Sequence, residues 1–382
     1  MTATTEPSSF APLRVRLEPG YGGGRVGAWA VDIPGAFGSA RTPERALTAA
    51  LSAAARVREW LALHGEVLDL PAIRGFETLG EVPAIREPDG YEVNATFPED
   101  RRAVEADAAE AVIRRLGWGR EDLLAVAGRI RAHEAAHGPL PTDTAGGEWD
   151  AETVLRHLAT AEAWLIGRLD PSARYEGPLR DTPVDAALAG VREWLVDQLR
   201  ARAADDAGAV IADRHGETWT LAKVLRRLQY HAFDHLWELD RRLCRADGTA
   251  ERVEVTLDRR PSGVEAAALL HAVGWDARAS DPELVGRAID GSGEVASARD
   301  GDRLVGIARS MTDGALNAVI AMVVVHPRYQ GLGVGERLMH ALIDGRDDVR
   351  FALSAASGVD EWYRKLGFLP DPHAMTRPRQ HR

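Results

Sequence analysis

At 382 residues the chain exceeds what one hydrophobic core usually organises, so two or three domains of roughly 150 residues each are expected. Its composition, 45% hydrophobic and 27% charged, is that of a globular protein and excludes a disordered or fibrous chain. A net charge of -11 argues against nonspecific binding to nucleic acid or anionic membrane, and the single cysteine, Cys244, excludes a disulfide framework and any multi-cysteine zinc site.

Residues 1–11 are rich in Thr, Ser and Pro without an apolar pattern and read as a mobile tail. They carry neither the basic region nor the apolar core of a signal peptide, and no run of 18 apolar residues occurs, so a cytoplasmic protein without membrane contact is expected. From Leu13, LRVRLEP alternates as a strand, GYGGGR is a turn and VGAWAVDIPG is a second strand, which makes a hairpin. A helix follows, capped by Thr42 with Pro43 in its first turn, and its stripe of Ala46, Leu47, Ala50, Leu51, Ala54, Val57 and Leu61 ends near Gly65. Residues 66–97 are short strand-like pieces broken by Pro and Gly, a connecting region.

From Pro98 to Ala246 the pattern is helical, in stretches near 101–116, 119–137, 150–169, 183–203 and 218–245, an α-bundle with one extra or split helix. After residues 245–250 it changes again. Strand ERVEVTL, helices SGVEAAALLHAVG and PELVGRAID, and strands EVASARD, RLVGIARSMT and NAVIAMVVV come first. A helix over 335–343, strand VRFALSA, helix GVDEWYRKLG and a basic tail complete the chain. The alternation of α and β signals marks a separate domain.

In that last domain an unbroken apolar strand feeds a glycine-rich turn and a helix start. Free N–H groups there, with the positive end of the helix dipole, suit a pyrophosphate, and glycines at 331, 333 and 335 let the backbone approach it closely. A dinucleotide fingerprint G-x-G-x-x-G fails because position 336 is Glu, and a P-loop fails because no Lys-Ser/Thr follows. Gln330, Gly333 and Gly335, preceded by the V-x-P strand end at Val325–Pro327 and followed by EWYRKLGF, resemble the two landmarks of GNAT acetyltransferases over about 130 residues. The resemblance implies acetyl-CoA as cosubstrate. The backbone of Val323, Val324 and Val325 would pair with the pantetheine arm, and the turn Gln330, Gly331, Leu332, Gly333, Val334 and Gly335 would hold the pyrophosphate. Tyr363 would be the general acid that protonates the departing thiolate. The glutamate that many relatives use as base is missing, which leaves His326, Asn317 or a water relay.

The last bundle helix places His231 and His235 four apart on its apolar face, where they can bind one metal ion, and His157 in AETVLRHLATAEAWLIGRL offers a third ligand. His133 and His137 share this spacing, but their helix face is poorly apolar and they read as solvated. EWDAETVLRHL followed by H-x-x-x-H resembles the DinB-like bundles over residues 100–246. That implies a divalent ion, zinc or nickel, with open positions for water or a low-molecular-weight thiol. The start of the chain, with DIPGAFGSARTPERALTAAL, resembles a HicB-like unit, read here as an interaction or dimerisation module.

The expected fold is multidomain α+β: a HicB-like ββα domain at 12–66, a DinB-like bundle at 98–247 and a GNAT α/β domain with a mixed central sheet at 251–378. The expected function is acetyl transfer from acetyl-CoA to a small-molecule or peptide amine by direct attack, with homo-oligomer formation as a further expectation and nucleic acid not a partner. The alternatives are a sensing protein that binds CoA and metal without turnover, and a thiol-dependent metalloenzyme centred on the bundle.

Overall fold

The computed structural model of the chain describes residues 10–140, 149–206, 208, 210–212, 214–356 and 358–377. Most of the expected N-terminal tail and the end of the basic C-terminal tail lie outside the described residues.

The first unit is a four-stranded sheet with one long helix. Strands β1 (Phe10–Gly20), β2 (Arg25–Ala30) and β3 (Phe37–Ala40) form an antiparallel meander, α1 (Pro43–Leu63) crosses over, and β4 (Ala72–Glu81) returns parallel to β1, giving the order β3-β2-β1-β4. The sheet thus has two strands more than the expected ββα unit, β3 within the expected bounds of 12–66 and β4 beyond them. Strand β4 escaped the sequence reading because, apart from buried Ile73, its side chains are mostly exposed, so it holds its place by backbone pairing rather than by an apolar alternation. Helix α1 is capped as expected, with Arg45 N–H donating to Thr42 Oγ1 at 3.4 Å, and it buries Ala46, Ala50, Ala54, Val57, Trp60 and Leu61. Gly35 of the DIPG turn has φ +84°, and a Cβ there would lie 2.5 Å from the Phe233 ring. That turn is where the first unit seats on the bundle, and Phe233 completes the unit's core.

The bundle has four helices among the described residues: α2 (Ala106–His137), α3 (Ala151–Leu169), α4 (Val184–Ala203) and α5 (Leu221–Ala246). The expected break between 116 and 119 does not occur, and α2 runs unbroken for 32 residues. Gly117 and Gly119, at the expected break, cost about 1 kcal/mol each relative to alanine. Burial of Leu116, Leu123, Val126 and Ile130 on either side of them outweighs that cost. Helix α5 begins at Leu221, after Thr220 caps it by accepting from Lys223 N–H at 3.1 Å, while residues 218–219 pair as a short strand with 211–212.

The third unit is a five-stranded mixed sheet of β5 (Val253–Thr256), β6 (Glu294–Asp300), β7 (Arg303–Thr312), β8 (Asn317–Val325) and β9 (Arg350–Leu353), in the order β9-β8-β7-β6-β5. All pairs are antiparallel except β8 with β9. Helices α6 (Gly263–Ala272) and α7 (Pro282–Asp290) cover one face, packing Leu269, Leu270, Val285 and Ile289 on Val295, Ile307 and Val324. Helix α8 (Val334–Ile343) covers the other, with Leu338, Met339 and Leu342 on Ala296, Val305 and Ile320. A short helix α9 (Asp360–Lys365) closes the domain. Among the described residues no helix is long and apolar enough to cross a membrane.

Polar joints bind the units together. Asp276, buried in the third unit, accepts from Arg58 at 2.7 Å and from Ile73 N–H at 2.8 Å, both of the first. Glu59 of α1 meets His326 at 3.1 Å, and Arg328 donates to Asp240 of α5 at 3.2 Å.

Candidate functional site

The site in the third unit starts from an opening in the sheet. Strand β8 pairs with β9 only from Asn317↔Arg350 to Ile320↔Leu353, so among the described residues the edge of Ala321–Val325 has no strand beside it on that side. On its other side β8 carries a bulge: Ile307 faces Val324 while Arg309 faces Ala321, and Met322 within it has φ +53°. An extra residue in one strand bends it and re-aims its peptide groups. Such strain in a non-glycine residue persists where the surrounding structure holds it, and it concentrates at functional sites. The sequence had no signal for this, because methionine does not advertise a positive φ.

The turn after β8 is held by its apolar residues and bared by its glycines. Leu332 and Val334 are buried, while Gly331 and Gly333 lie exposed with φ +75° and +76°. Gly333 stands at the helix start without a side-chain cap hydrogen bond, so the first N–H groups of α8 have no intrahelical acceptor. Gln330 donates its side-chain amide to Val325 O at 2.9 Å, tying the turn to the strand end and occupying that carbonyl. Val323, Val324 and Val325 thus lie at the opened edge with Val324 turned into the core, and Val325 has less to offer a ligand than expected.

Tyr363 sits on α9, half-buried, with its ring 4.8 Å from Trp362 and 6.0 Å from Phe368. Trp362 packs where a Cβ on Gly335 would come within 3.4 Å of its ring, which sets α9 beside the start of α8. Burial pushes the Tyr363 hydroxyl above the usual tyrosine range, so it stays protonated at neutral pH. The two candidate bases are placed elsewhere. His326 is buried and engaged with Glu59 at 3.1 Å and Arg303 at 2.9 Å, and Asn317 is held by the Asp313 turn at the far end of β8, roughly 26 Å along the strand from Val325.

The second site lies in the bundle. His157 Nε2 and His235 Nε2 each lie 3.0 Å from His231 Nε2, so the three rings converge from α3 and α5 on one point. His235 Nδ1 donates to Glu238 at 3.0 Å, which leaves its Nε2 lone pair turned toward the other two. Glu238 in turn accepts from Arg242, and Arg242 donates to the carbonyl of Trp149 at 2.8 Å. The Trp149 ring lies 4.7 Å from His157. Burial lowers the pKa of His157 and drives that of His231 well down, with neighbouring histidine charges adding to both shifts, so these rings are neutral at pH 7. His231 Nδ1 is buried with no hydrogen-bond partner among the described residues. A cavity of about 360 Å³ opens beside His157 and His231 and is walled by Thr160, Trp164, Arg227 and Tyr230. Glu238 was legible as H-x-x-E spacing but went unread. Arg242 and Trp149 reach the site only through the fold. His133 and His137 stack on each other at an exposed helix end.

Residues 263–376, most of the third unit, match the acetyltransferase (GNAT) domain family. Among curated relatives, an uncharacterized N-acetyltransferase ycf52 of Porphyra purpurea is 47% identical over 76 residues, 19% of this chain and 44% of that one. Histone acetyltransferase TAP1 of Glycine max is 35% identical over 143 residues, 34% of this chain and 61% of that one. The chain thus spans less than two thirds of the length of these relatives. Among solved structures, a probable acetyltransferase of meticillin-resistant Staphylococcus aureus is 26% identical with a TM-score of 0.30, covering 34% of this chain and 99% of that one. A GNAT-family acetyltransferase of Xanthomonas campestris is 28% identical with a TM-score of 0.30, covering 33% and 92%.

Proposed function

We propose that the chain transfers the acetyl group of acetyl-CoA to a small-molecule or peptide amine by direct attack. The observation that carries this reading is the parting of β8 from β9 after Ile320 and Leu353, which leaves a bulged peptide edge beside an uncapped glycine turn. The amine nitrogen forms its bond to the thioester carbon, and a backbone N–H of the bulged segment meets the charge on the carbonyl oxygen. The C–S bond then breaks, and Tyr363 gives its proton to the thiolate while the proton lost by the amine returns through water. His326 and Asn317 take no part in this scheme. The protein is incubated with acetyl-CoA and a panel of amines, with released thiol followed against acetylated product. Equal amounts of the two are expected. CoA binding without turnover across the panel would instead make the protein a sensing module.

We further infer that His157, His231 and His235 hold a divalent ion, zinc or nickel, in a DinB-like bundle. The donor set fits: three imidazoles converge, two of them with Nε2 3.0 Å from His231 Nε2, and His231 Nδ1 is buried without a hydrogen-bond partner among the described residues. When bound, the ion would supply a Lewis-acid position beside the cavity for water or a low-molecular-weight thiol. Native mass spectrometry of protein grown with zinc or nickel should show one ion per chain, lost in His231→Ala with the helical circular dichroism kept. A metal-free wild type would sink this assignment. We read the first unit as a HicB-like interaction or dimerisation module, through which the chain would form a homo-oligomer, and place the whole in the cytoplasm, where a lone thiol such as Cys244 stays reduced.

A further inference from the structure

The cavity beside the histidine cluster has two chemically different ends. Helices α3 and α5 run antiparallel along it: His157 meets His231 at one end, and toward the other Trp164 stands edge-on to Trp219, which lies just before the Thr220 cap of α5. On α5 Arg227 precedes His231 by four residues, so the two share a face about 6 Å apart along the axis. Between them Ala161 and buried Leu165 supply an apolar wall. Arg227 is the one charged side chain that lines this cavity. His157 and His231 are neutral, and no carboxylate faces it. Arg227 is half-buried and bonded to a neutral partner, donating to Asn94 Oδ1 at 3.0 Å, and it forms no ion pair among the described residues. Its neighbour Arg226, by contrast, is matched to Asp100 at 2.7 Å. A half-buried cation whose protein partner is uncharged leaves a positive field in the cavity, and that field favours one negative charge.

We propose that this cavity binds a small organic carboxylate, held at its charged end by Arg227, with its apolar body along Ala161, Trp164 and Leu165 and its far end toward the histidine cluster. The proposal deepens the metal reading above, on which it rests for the role of that far end: molecules of this class would be what is presented to the histidine-bound ion. One guanidinium balances one carboxylate, and its planar fork suits the two carboxylate oxygens. A phosphate ester, with nearly two charges, would be only half matched. The volume of about 360 Å³ stands at the small end of ligand pockets, which suits a body of one ring or a short chain.

Calorimetric titrations of the full chain with 3-phenylpropionate and its uncharged counterpart 3-phenylpropanamide test this. The acid should bind about tenfold more tightly than the amide, as expected for a hydrogen bond between charged groups. Arg227→Gln should lose that preference and bind the amide as wild type does, while Arg227→Lys should restore part of it. Ala161→Phe, which fills the cavity, should abolish binding of both. Equal wild-type affinities for acid and amide, no affinity for either, or a preference that survives Arg227→Gln overturns the proposal. Should Arg227→Gln fail to fold, the wild-type comparison and Ala161→Phe decide it, and acid binding kept in the filled cavity overturns it as well. Zinc should strengthen the binding of 6-mercaptohexanoate and leave that of 3-phenylpropionate unchanged. Zinc taken up without such a gain overturns the placement of the ligand's far end. A wild type that takes up no zinc fails the metal reading alone, and the preference for acid over amide still decides whether the cavity is a carboxylate site.

Discussion

At the scale of single residues, the proposed acetyltransferase site depends on groups whose environments set their roles. Burial holds the Tyr363 hydroxyl protonated well past neutrality. Tyr363→Phe should therefore lower kcat about a hundredfold, within the usual span for a general acid, and leave the KM for acetyl-CoA nearly unchanged. Because its pKa is raised, the wild-type rate should fall only above the ordinary tyrosine range near pH ~10, and the variant should lack that limb. Stopped-flow rates from pH 6 to 11 would check both; an unchanged kcat removes Tyr363 from the mechanism. His326 shows why residue type and position in sequence were insufficient. It follows the strand end as a base might, yet its ring turns to Glu59 of another unit, and only the packing of α1 on the domain reveals that. In the bundle the reverse holds. The spacing of His231 and His235 already placed them on one face, and His157 needed only the pairing of α3 with α5 to join them.

At the scale of elements, the bulge in β8 separates a sheet from a site. Met322 at φ +53° is a conformation that a β-branched side chain tolerates poorly. Met322→Val should cost about 1–3 kcal/mol in chemical denaturation and lower turnover, since relaxing the strain would straighten the opened edge. Met322→Gly, which accepts that backbone freely, should keep turnover near wild type. Loss of activity in both variants would show that the side chain, not the bulge, matters. Elsewhere element boundaries were legible where local chemistry sets them, as at the Thr42 cap, whereas the start of α5 lies three residues later than expected, at the Thr220 cap. They were misread where tertiary burial overrides local cost, as through Gly117 in α2, and where a strand is held only by backbone pairing, as in β4.

At the scale of the whole molecule, three units share joints that no single unit explains. Burial pushes the Asp276 carboxyl up, but hydrogen bonds from His271 and from Ile73 N–H, with the charge of Arg58, overcome this and hold it below its usual range. A carboxylate whose folded pKa is depressed contributes stability that is fully present above about pH 4 and is lost as pH falls through the folded value. Asp276→Asn should thus destabilise the chain by about 1–3 kcal/mol at pH 7, with the deficit shrinking at low pH. Melting curves from pH 3 to 7 measure this, and a deficit independent of pH would contradict the assignment. The sequence alone determined the three-part organisation, the glycine turn with its helix start, and the two histidines of α5, because each follows from local periodicity and spacing along one element. The parting of β8 from β9, the bulge at Met322 and the engagement of His326 were decided by tertiary structure, because each depends on which surfaces of distant segments come to share one place.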